Sequence, residues 1–188
     1  MTTAARDLTL EYVRWIDGHV DVWGVFRDAQ ALAGIVAGLA EPFRDAQVTA
    51  VCGVESRGFL LGGAVAVALG VGFVPVRKDG GLFPGEKLVR ETGPDYRNLR
   101  HRLHLQRSAL GPTDRVLMVD DWIETGSQAV TVKDIVEECG ATWVGCSVMV
   151  DELDPATQPT LGPVHSLLDA ADLPPCPPEQ ITGSPAAP

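Results

Sequence analysis

Two adjacent carboxylates and a turn of small polar residues lie within residues 116–128, which read VLMVDDWIETGSQ. Four apolar residues, 116–119, predict a short buried strand that ends at Asp120 and Asp121. A turn at residues 124–127 then leads into an amphipathic helix. The N–H groups at such a helix start suit a phosphate, whereas paired carboxylates accept hydrogen bonds from a vicinal diol. A ligand with a phosphate beside a diol is a ribose 5-phosphate.

The same order of strand, turn and helix occurs earlier in the chain. Residues 48–54 predict a buried strand, residues 55–58 predict a turn, and residues 58–69 predict a buried helix. Open α/β sheets bind ligands at the carboxyl ends of their strands. We therefore expect the turns at 55–58 and 124–127 to lie on one edge of a sheet and to share one cleft.

The chain as a whole predicts an α/β fold with a mainly parallel central sheet flanked by helices. Asp28 is well placed as the N-cap of a helix over residues 29–40. Residues 79–98 contain several glycines and prolines and predict a mobile loop or a twisted hairpin. The other predicted elements are a helix over 4–16 with Leu8, Tyr12 and Trp15 on one side, a turn at 70–72, a strand through Val76, an antiparallel arm near 101–106, and strands over 142–150 and near 164–168.

Length and composition indicate one globular domain. With 188 residues, 45% of them hydrophobic, the chain can form one core, which we place in residues 1–173. Residues 174–188 are rich in proline, alanine and serine, and we expect them to be disordered. The N-terminus shows no signal-peptide pattern and the four cysteines show no metal-ligand spacing, so we expect a cytoplasmic protein with reduced thiols. Residues 58–76 are uncharged, but five glycines and Pro75 argue against a membrane span.

The formal net charge of −10 argues against a nucleic-acid surface. Residues 77–107 are the exception, since eight basic and four acidic side chains give this segment a charge of +4 and leave −14 for the rest. A cationic segment between two phosphate-binding turns suits a small polyanionic ligand, although charge alone is equally compatible with a solvated hairpin. Neither a Walker A sequence nor GxGxxG is present, so triphosphatase and dinucleotide functions lose their main support.

Five segments in the same order resemble the type I phosphoribosyltransferases, and among them the adenine phosphoribosyltransferases. That family's motif for 5-phosphoribosyl 1-pyrophosphate (PRPP) is similar to residues 116–128, and the resemblance spans roughly residues 14–169. The other matching segments are VFRD at 25–28 for the base pocket, ESRGFL at 55–60 for the pyrophosphate loop, FVPVRK at 73–78 and LFPG at 82–85 for the strand and hood that follow, and HSLL at 165–168 near the family's end.

The resemblance implies a type I phosphoribosyltransferase fold with a mobile hood loop. It implies a reaction in which the pyrophosphate of PRPP is replaced by a ring nitrogen of a purine or purine-like base, with the 79–98 loop closed to exclude water. Mg²⁺ is expected on the oxygens of PRPP and on water rather than on protein carboxylates. The partners implied are PRPP, a heterocyclic base and a second subunit in a homodimer, with neither nucleic acid nor membrane.

The resemblance also assigns roles to individual residues. The two aspartates hold the ribose hydroxyls, the small residues after them hold the 5-phosphate, and the base stacks on Phe26. Catalysis is expected from Arg57, Asp121 and Glu124, through stabilisation of the departing pyrophosphate and positioning. The PRPP-binding set is Glu55, Ser56, Arg57, Arg77, Lys78, Asp120, Asp121, Glu124, Thr125, Gly126, Ser127 and Gln128, and the base-binding set is Val25, Phe26 and Arg27.

Three positions depart from the family pattern. Where the family's mobile loop reads Leu-Glu-Tyr-Gly, with a glutamate implicated in handling the base's proton, this chain has Arg97 in place of the glutamate. Where the phosphate loop usually begins with alanine, this chain has Glu124, and Gly81 replaces a hood lysine for which Lys87 is a substitute. We hypothesise that Glu124 handles the proton or recognises a donor on a base other than plain adenine, such as a 7-deazapurine. The alternative is that Glu124 faces solvent and takes no part in the reaction. Glu91, also in the loop, is a second candidate for handling the proton.

A second function is a PRPP-sensing regulator on the same fold that has no base chemistry. Such regulators usually carry an added DNA-binding region, and only about 15 to 25 residues precede the matching segments, which favours the enzyme. In a homodimer, Trp15, Trp23 and Trp143 are candidate interface residues.

Overall fold

The structure is a computed structural model that describes residues 3–80 and 82–180. The α-helices of this part are Thr3–Tyr12 (α1), Gly24–Arg27 (α2), Ala29–Ala40 (α3), Arg57–Leu69 (α4), Ser127–Glu138 (α5) and Gln158–Leu161 (α6). The strands are Arg14–Ile16 (β1), His19–Asp21 (β2), Ala50–Val54 (β3), Gly72–Lys78 (β4), Lys87–Glu91 (β5), Arg102–Gln106 (β6), Arg115–Ile123 (β7), Thr142–Asp151 (β8) and Val164–Asp169 (β9). Single 3-10 turns occur at Glu41–Phe43, Arg107–Ala109, Ala170–Asp172 and Pro178–Gln180.

Seven strands form one sheet in the order β5-β6-β4-β3-β7-β8-β9. Strands β4, β3, β7, β8 and β9 run parallel, whereas β5 and β6 form an antiparallel hairpin that extends the sheet beyond β4. Strand β3 is central and pairs with β7, with Ala50 opposite Val116. The predicted α/β fold with a mainly parallel sheet is therefore confirmed.

Both faces of the central strands are buried, as parallel sheets require. In β3 and β7, Val51 and Leu117 pack on one face with α3 and α4, and Cys52 and Met118 pack on the other face with α5. Every residue of β3 is buried. The near-continuous apolar runs in the sequence follow from this two-sided burial.

Helix boundaries follow local capping chemistry. The Asp28 carboxylate accepts hydrogen bonds from the N–H groups of Gln30 at 2.9 Å and Ala31 at 2.8 Å, so it caps α3 as predicted. The Ala31 hydrogen bond is the main reason that the pKa of Asp28 lies below its usual value. At the C-terminal end of α4, Gly70 has a left-handed conformation with φ 72°. This residue ends the helix and agrees with the turn predicted at residues 70–72.

The prediction of a helix over residues 4–16 was wrong at its C-terminal end. Helix α1 stops at Tyr12, and Trp15 lies in β1, opposite Val20 of β2. Asp17 and Gly18 form the turn of this hairpin with φ values of 49° and 76°. An Asp-Gly pair is a strong hairpin signal because both residues tolerate positive φ. The spacing of Leu8, Tyr12 and Trp15 favoured a helix over residues 4–16, and this pattern extends too far by chance.

Strand β7 is longer than the predicted strand over 116–119. Its parallel pairing with β8 continues to Ile123, which lies opposite Asp151. Asp120 and Asp121 therefore lie inside the strand and not after it, because the backbone of β8 is still available for pairing at these positions. Only residues 124–126 remain as the turn before α5.

The segment over residues 79–98 contains β5 and begins the β5–β6 hairpin, which is the second of the two predicted alternatives. Gly81 and residues 181–188 lie outside the described residues. Residues 174–180, part of the segment expected to be disordered, contact the β1–β2 hairpin through hydrogen bonds from Trp15 Nε1 to Pro174 O at 2.8 Å and from the Asp17 N–H to Gln180 Oε1 at 3.0 Å. No helix of the described residues has the length and apolar character needed to cross a membrane.

Substituting Gly53 by alanine tests how closely β3 and α4 approach. A Cβ at Gly53 would lie 2.1 Å from the carbonyl oxygen of Gly58 and 3.0 Å from that of Val119, and both are backbone atoms. We expect Gly53→Ala to lower the free energy of unfolding by about 3 kcal/mol, measured by urea denaturation. The matched control is Gly63→Ala within α4, where a Cβ meets open space and the change is expected to stabilise by about 0.5–1 kcal/mol. Equal stability of the two variants would contradict this packing.

Candidate active site

The turns that follow β3 and β7 open into one cavity of about 950 Å³ at the carboxyl edge of the sheet. Ser56 from the first turn and Ser127 from the second both line it. The turns approach closely because Gly58 has no side chain, and a Cβ there would lie 3.0 Å from Asp120 Oδ1. Helices α4 and α5 thus direct their N-terminal N–H groups, which have no partners within their helices, at the same cavity.

All residues of the predicted PRPP-binding set line this cavity, except Arg77. The three predicted base-binding residues are not part of its wall. Val25 is fully buried, Arg27 is exposed, and Phe26 packs against Trp23 with 5.6 Å between the ring centroids. Trp23 does line the cavity, so it is the side chain through which this segment reaches the ligand space.

The Arg57 side chain joins the two turns. Its Nε atom lies 2.9 Å from Asp121 Oδ2, and its guanidinium carbon lies 5.7 Å from the centre of the Trp23 ring. The Asp121 side chain is only 8% exposed and that of Arg57 is 34% exposed, so the carboxylate of this ion pair is shielded from solvent while the guanidinium is partly accessible. Arg57 is therefore held between Asp121 of β7 and Trp23 at the start of α2 before any ligand binds.

A second ion pair supports the turn after β3. Arg77 donates from Nη2 to Glu55 Oε1 at 3.0 Å and from Nε to Glu55 Oε2 at 3.2 Å, and the Lys78 N–H also donates to Glu55 Oε2 at 3.1 Å. The Arg77 hydrogen bond lowers the pKa of Glu55. Arg77 also donates to the carbonyl of Leu82 at 2.9 Å, so it fixes the hood segment while Lys78 faces the cavity.

The turn before α5 has the geometry of an anion-binding loop. Gly126 adopts φ 72°, and a Cβ there would lie 2.8 Å from Leu153 and 2.9 Å from Thr157, so only glycine is accommodated. Thr125 Oγ1 donates to Ser127 Oγ at 3.1 Å. The Ser127 N–H donates to Thr125 Oγ1 at 3.3 Å, while Gly126 has no side chain to cap α5, so the next N–H groups of the first turn suit a ligand anion.

The two aspartates differ in their surroundings. Burial raises the pKa of Asp120 well above its usual value, and the negative charge of Asp121 raises it further. Asp120 Oδ1 accepts the N–H of Asp121 at 2.9 Å, whereas Asp121 is neutralised by Arg57. A neighbouring ligand hydroxyl would find acceptor oxygens on both side chains.

Glu124 lies on the cavity wall and is partly buried. Burial raises the pKa of Glu124, as do the negative charges of Glu152 and Asp95, while the positive charge of Arg97 opposes them. Arg97 also lines the cavity. Glu91, the other candidate for proton handling, is not part of the cavity wall. Its Oε1 atom lies 3.7 Å from Arg100 Nη1 on the hairpin.

Arg97 is presented by a turn at residues 95–99 that Asp95 organises. The Asp95 carboxylate accepts hydrogen bonds from the N–H groups of Arg97 and Leu99, each at 2.9 Å, and its Oδ2 lies 3.1 Å from His101 Nε2. Burial raises the pKa of Asp95, but the hydrogen bonds from Leu99, His101 and Arg97 outweigh it and lower this pKa to about 2. The turn is therefore held by one nearly buried carboxylate.

Sequence reasoning missed several residues of the cavity wall. Trp15 and Trp23 come from the N-terminal segment, Trp122 directly follows the two aspartates, and Glu152 follows β8. Trp122 Nε1 donates to Glu152 Oε2 at 2.9 Å. The position of Trp122 directly after the two aspartates was a usable signal, since both aspartates were predicted to lie in the site. Trp143, a candidate interface residue, donates from Nε1 to the carbonyl of Leu161 at 2.7 Å, and its place in an interface stays a prediction.

The cavity does not resemble a metal site built from protein ligands. Within residues 3–80 and 82–180, no group of three His, Cys, Asp or Glu side chains is arranged to hold a metal ion. The four cysteines are all free thiols. Burial raises the pKa of the Cys146 thiol to about 12, which makes it an inert core residue.

Two helix-initiating turns and a pair of aspartates line one cavity at the carboxyl edge of a mainly parallel sheet. The chain belongs to the phosphoribosyl transferase domain family, whose model matches residues 23–161. Within the family it is a type I phosphoribosyltransferase and is similar to the adenine phosphoribosyltransferases. The predicted fold and enzyme class are both confirmed.

Two relatives and two solved structures define the similarity. The adenine phosphoribosyltransferase of Dinoroseobacter shibae is 40% identical over 131 residues, which cover 70% of this chain and 72% of the relative. That of Thermobifida fusca is 36% identical over 158 residues and covers 80% and 88%. The crystal structure from Rhodothermus marinus superposes with a TM-score of 0.75 at 32% identity, covering 88% of this chain and 98% of that one. The enzyme of Saccharomyces cerevisiae, solved with an imino-altritol bisphosphate and adenine, gives 0.74 at 29% identity, covering 89% and 100%.

The Asp95 turn predicts a dependence of stability on pH. The pKa of Asp95 is about 2 in the folded state against an ordinary 3.8, so its contribution is fully present above about pH 5 and is lost as the pH falls toward 2. We expect the free energy of unfolding of the wild type to fall more steeply between about pH 5 and pH 3 than that of Asp95→Asn, measured by urea denaturation. Parallel curves for the two proteins would contradict the assignment.

Proposed function

We propose that the chain transfers the 5-phosphoribosyl group of PRPP to a ring nitrogen of a purine base and releases pyrophosphate. The observation that carries this proposal is that Ser56 and Arg57, the two aspartates and the turn over 125–128 line one cavity. The base is adenine, as the names of the relatives suggest, or a modified purine such as a 7-deazapurine.

The geometry supports a division of the cavity into three parts. The turn over 125–128 and the start of α5 hold the 5-phosphate, Asp120 and Asp121 accept hydrogen bonds from the ribose hydroxyls, and Ser56, Arg57 and Lys78 hold the pyrophosphate. Since the diol lies between the two phosphate sites, the ribose is fixed at both ends. This positioning leaves the C1 atom as the part of the sugar that faces the base.

Catalysis then depends on charge that develops at the pyrophosphate. Arg57 is already held by Asp121 at 2.9 Å, so it need not be ordered during the reaction. Mg²⁺ enters as part of the Mg²⁺–PRPP substrate and neutralises pyrophosphate charge. Substrate oxygens and water would hold the ion, because Mg²⁺ usually keeps several waters and binds substrate phosphates.

Glu124 is the proposed acceptor for the proton that the base loses. It lies on the cavity wall one residue before the phosphate-binding turn, close to the ribose end of the site. Its raised pKa makes it a better proton acceptor than an exposed glutamate, provided that it is ionised. Arg97, in the place of the family's loop glutamate, has no acceptor to offer.

A panel of bases tests the reaction itself. With PRPP and Mg²⁺, we expect pyrophosphate release only when a purine is added, measured by a coupled pyrophosphate assay against adenine, 7-deazaadenine, hypoxanthine, guanine and uracil. Binding of PRPP, seen as a rise in melting temperature, without turnover of any base would favour a PRPP-sensing regulator instead.

Replacing Glu124 by glutamine tests its role. We expect Glu124→Gln to lower kcat/KM for the base by about 10²–10⁴-fold, because the amide accepts no proton. In the wild type, kcat/KM falls as the pH drops through the raised pKa of Glu124, and this acid limb is absent in the variant. The control is Asp134→Asn, which removes an exposed carboxylate from the same helix region without touching the cavity. An unchanged kcat/KM would remove Glu124 from the chemistry.

The proposed enzyme works as a homodimer in the cytoplasm. Support for self-association comes from the outer face of α4, where Leu60 is 49% exposed and Val67 is 81% exposed. Light scattering of the purified protein measures the assembly directly.

A further inference from the structure

Trp122 and Glu152 form a fixed pair on the wall of the cavity. The Glu152 N–H donates to the carbonyl of Ile123 at 2.8 Å, which ties the residue after β8 to the end of β7. Its side chain is held as well, since Trp122 Nε1 donates to Glu152 Oε2 at 2.9 Å. Among the described residues, no hydrogen bond uses the other oxygen, Oε1, which is left for a ligand donor.

The pair shares its cavity with the proposed ribose site. Trp122 and Glu152 line the same wall as Asp120 and Asp121, the side chains proposed to hold the ribose hydroxyls. The bond to Glu152 fixes the orientation of the ring, and a fixed indole offers a flat surface on which a base stacks. Trp23 lines the same cavity, which adds a second aromatic wall from the N-terminal segment.

Glu124 and Glu152 give the base site an edge that only accepts hydrogen bonds. Both carboxylates line the cavity, and each is near enough for the charge of Glu152 to act on Glu124. An ionised carboxylate has acceptors and no donor. A purine that carries a proton on N7 and an amino group on C6 has two adjacent N–H donors on one edge. A carbonyl at C6 instead places its oxygen against a carboxylate oxygen. Neither of these two acceptor oxygens then has a hydrogen-bond donor.

We propose that Glu152, held in place by Trp122, selects 6-aminopurines over 6-oxopurines by accepting a hydrogen bond from the exocyclic amino group. This inference rests on the proposed transfer to a purine. It assigns Glu152 to specificity and leaves the ring proton to Glu124. Sites that hydrogen-bond a substrate N–H discriminate strongly against analogues that lack it, because a buried polar group is then left without a partner.

The test compares adenine with hypoxanthine in Glu152→Gln. Glutamine can still accept the Trp122 N–H through its oxygen, while its amide nitrogen becomes a donor that suits a carbonyl. We expect the ratio of kcat/KM for adenine over hypoxanthine to fall by about 10–100-fold, with the KM for PRPP unchanged. A purely structural role would lower kcat/KM for both bases equally and leave the ratio as it was.

Two further variants make the result decisive. Trp122→Phe keeps an aromatic ring and removes the N–H that holds Glu152. We expect the ratio of kcat/KM for adenine over hypoxanthine to fall while turnover continues. This variant decides the question if Glu152→Gln does not fold. Glu11→Gln on α1 removes an exposed carboxylate away from the cavity and should leave the ratio unchanged. An unaltered ratio in the Glu152 and Trp122 variants overturns this inference alone. Lack of turnover of every base by the wild type overturns the proposed function.

Discussion

The close approach of β3, β7 and the first turn of α4 is the constraint on which the site depends. Gly53 and Gly58 make it possible, since side chains there would meet the Gly58 carbonyl at 2.1 Å and the Asp120 carboxylate at 3.0 Å. With this spacing, the turn that carries Arg57 lies directly beside the two aspartates of β7. The Arg57–Asp121 ion pair, the shared cavity and the convergence of two helix N-termini all follow from it. A larger residue at either glycine would separate the two halves of the site before it altered any group that touches a ligand.

The protein carries a net charge of −10, yet its proposed substrate is a polyanion. The cationic side chains around the cavity do not resolve this conflict alone, because the three arginines are matched by carboxylates in the pairs Arg57–Asp121, Arg77–Glu55 and Arg97–Asp95. The uncapped N-termini of α4 and α5 supply attraction for phosphate without a formal charge. The ion pairs fix the side chains in place, and fixed donors lose less entropy when a ligand binds. The fixed positions of these donors therefore compensate for the lack of a net positive charge at the site.

The parts of the fold that are set by local patterns could be predicted from the sequence, and the parts set by tertiary contacts could not. The apolar runs predicted the central strands, because burial on both faces requires apolar residues at successive positions. Asp28 predicted the start of α3, because capping favours this residue type at a helix start. The extent of β7 to Ile123 depends on pairing with β8, which no local pattern encodes. The aromatic wall was missed for the same reason. Trp15 and Trp23 reach the cavity only because an Asp-Gly hairpin folds the N-terminal segment over the sheet edge. Likewise, Glu152 is far from Trp122 in sequence and meets it only through the strand register.

The positions of the charged residues explain how a carboxylate can leave the loop without loss of a proton acceptor. Glu124 and Glu152 follow the ends of two paired strands, β7 and β8, so their separation is fixed by the sheet. A carboxylate on the hairpin would depend on the position of the hairpin to reach the base. The 95–99 turn of the hairpin carries both Asp95, whose negative charge raises the pKa of Glu124, and Arg97, whose positive charge lowers it. The exchange places the proposed acceptor at the end of a sheet strand, so that the proposed base recognition and proton acceptance depend on the strand register and not on the position of the hairpin.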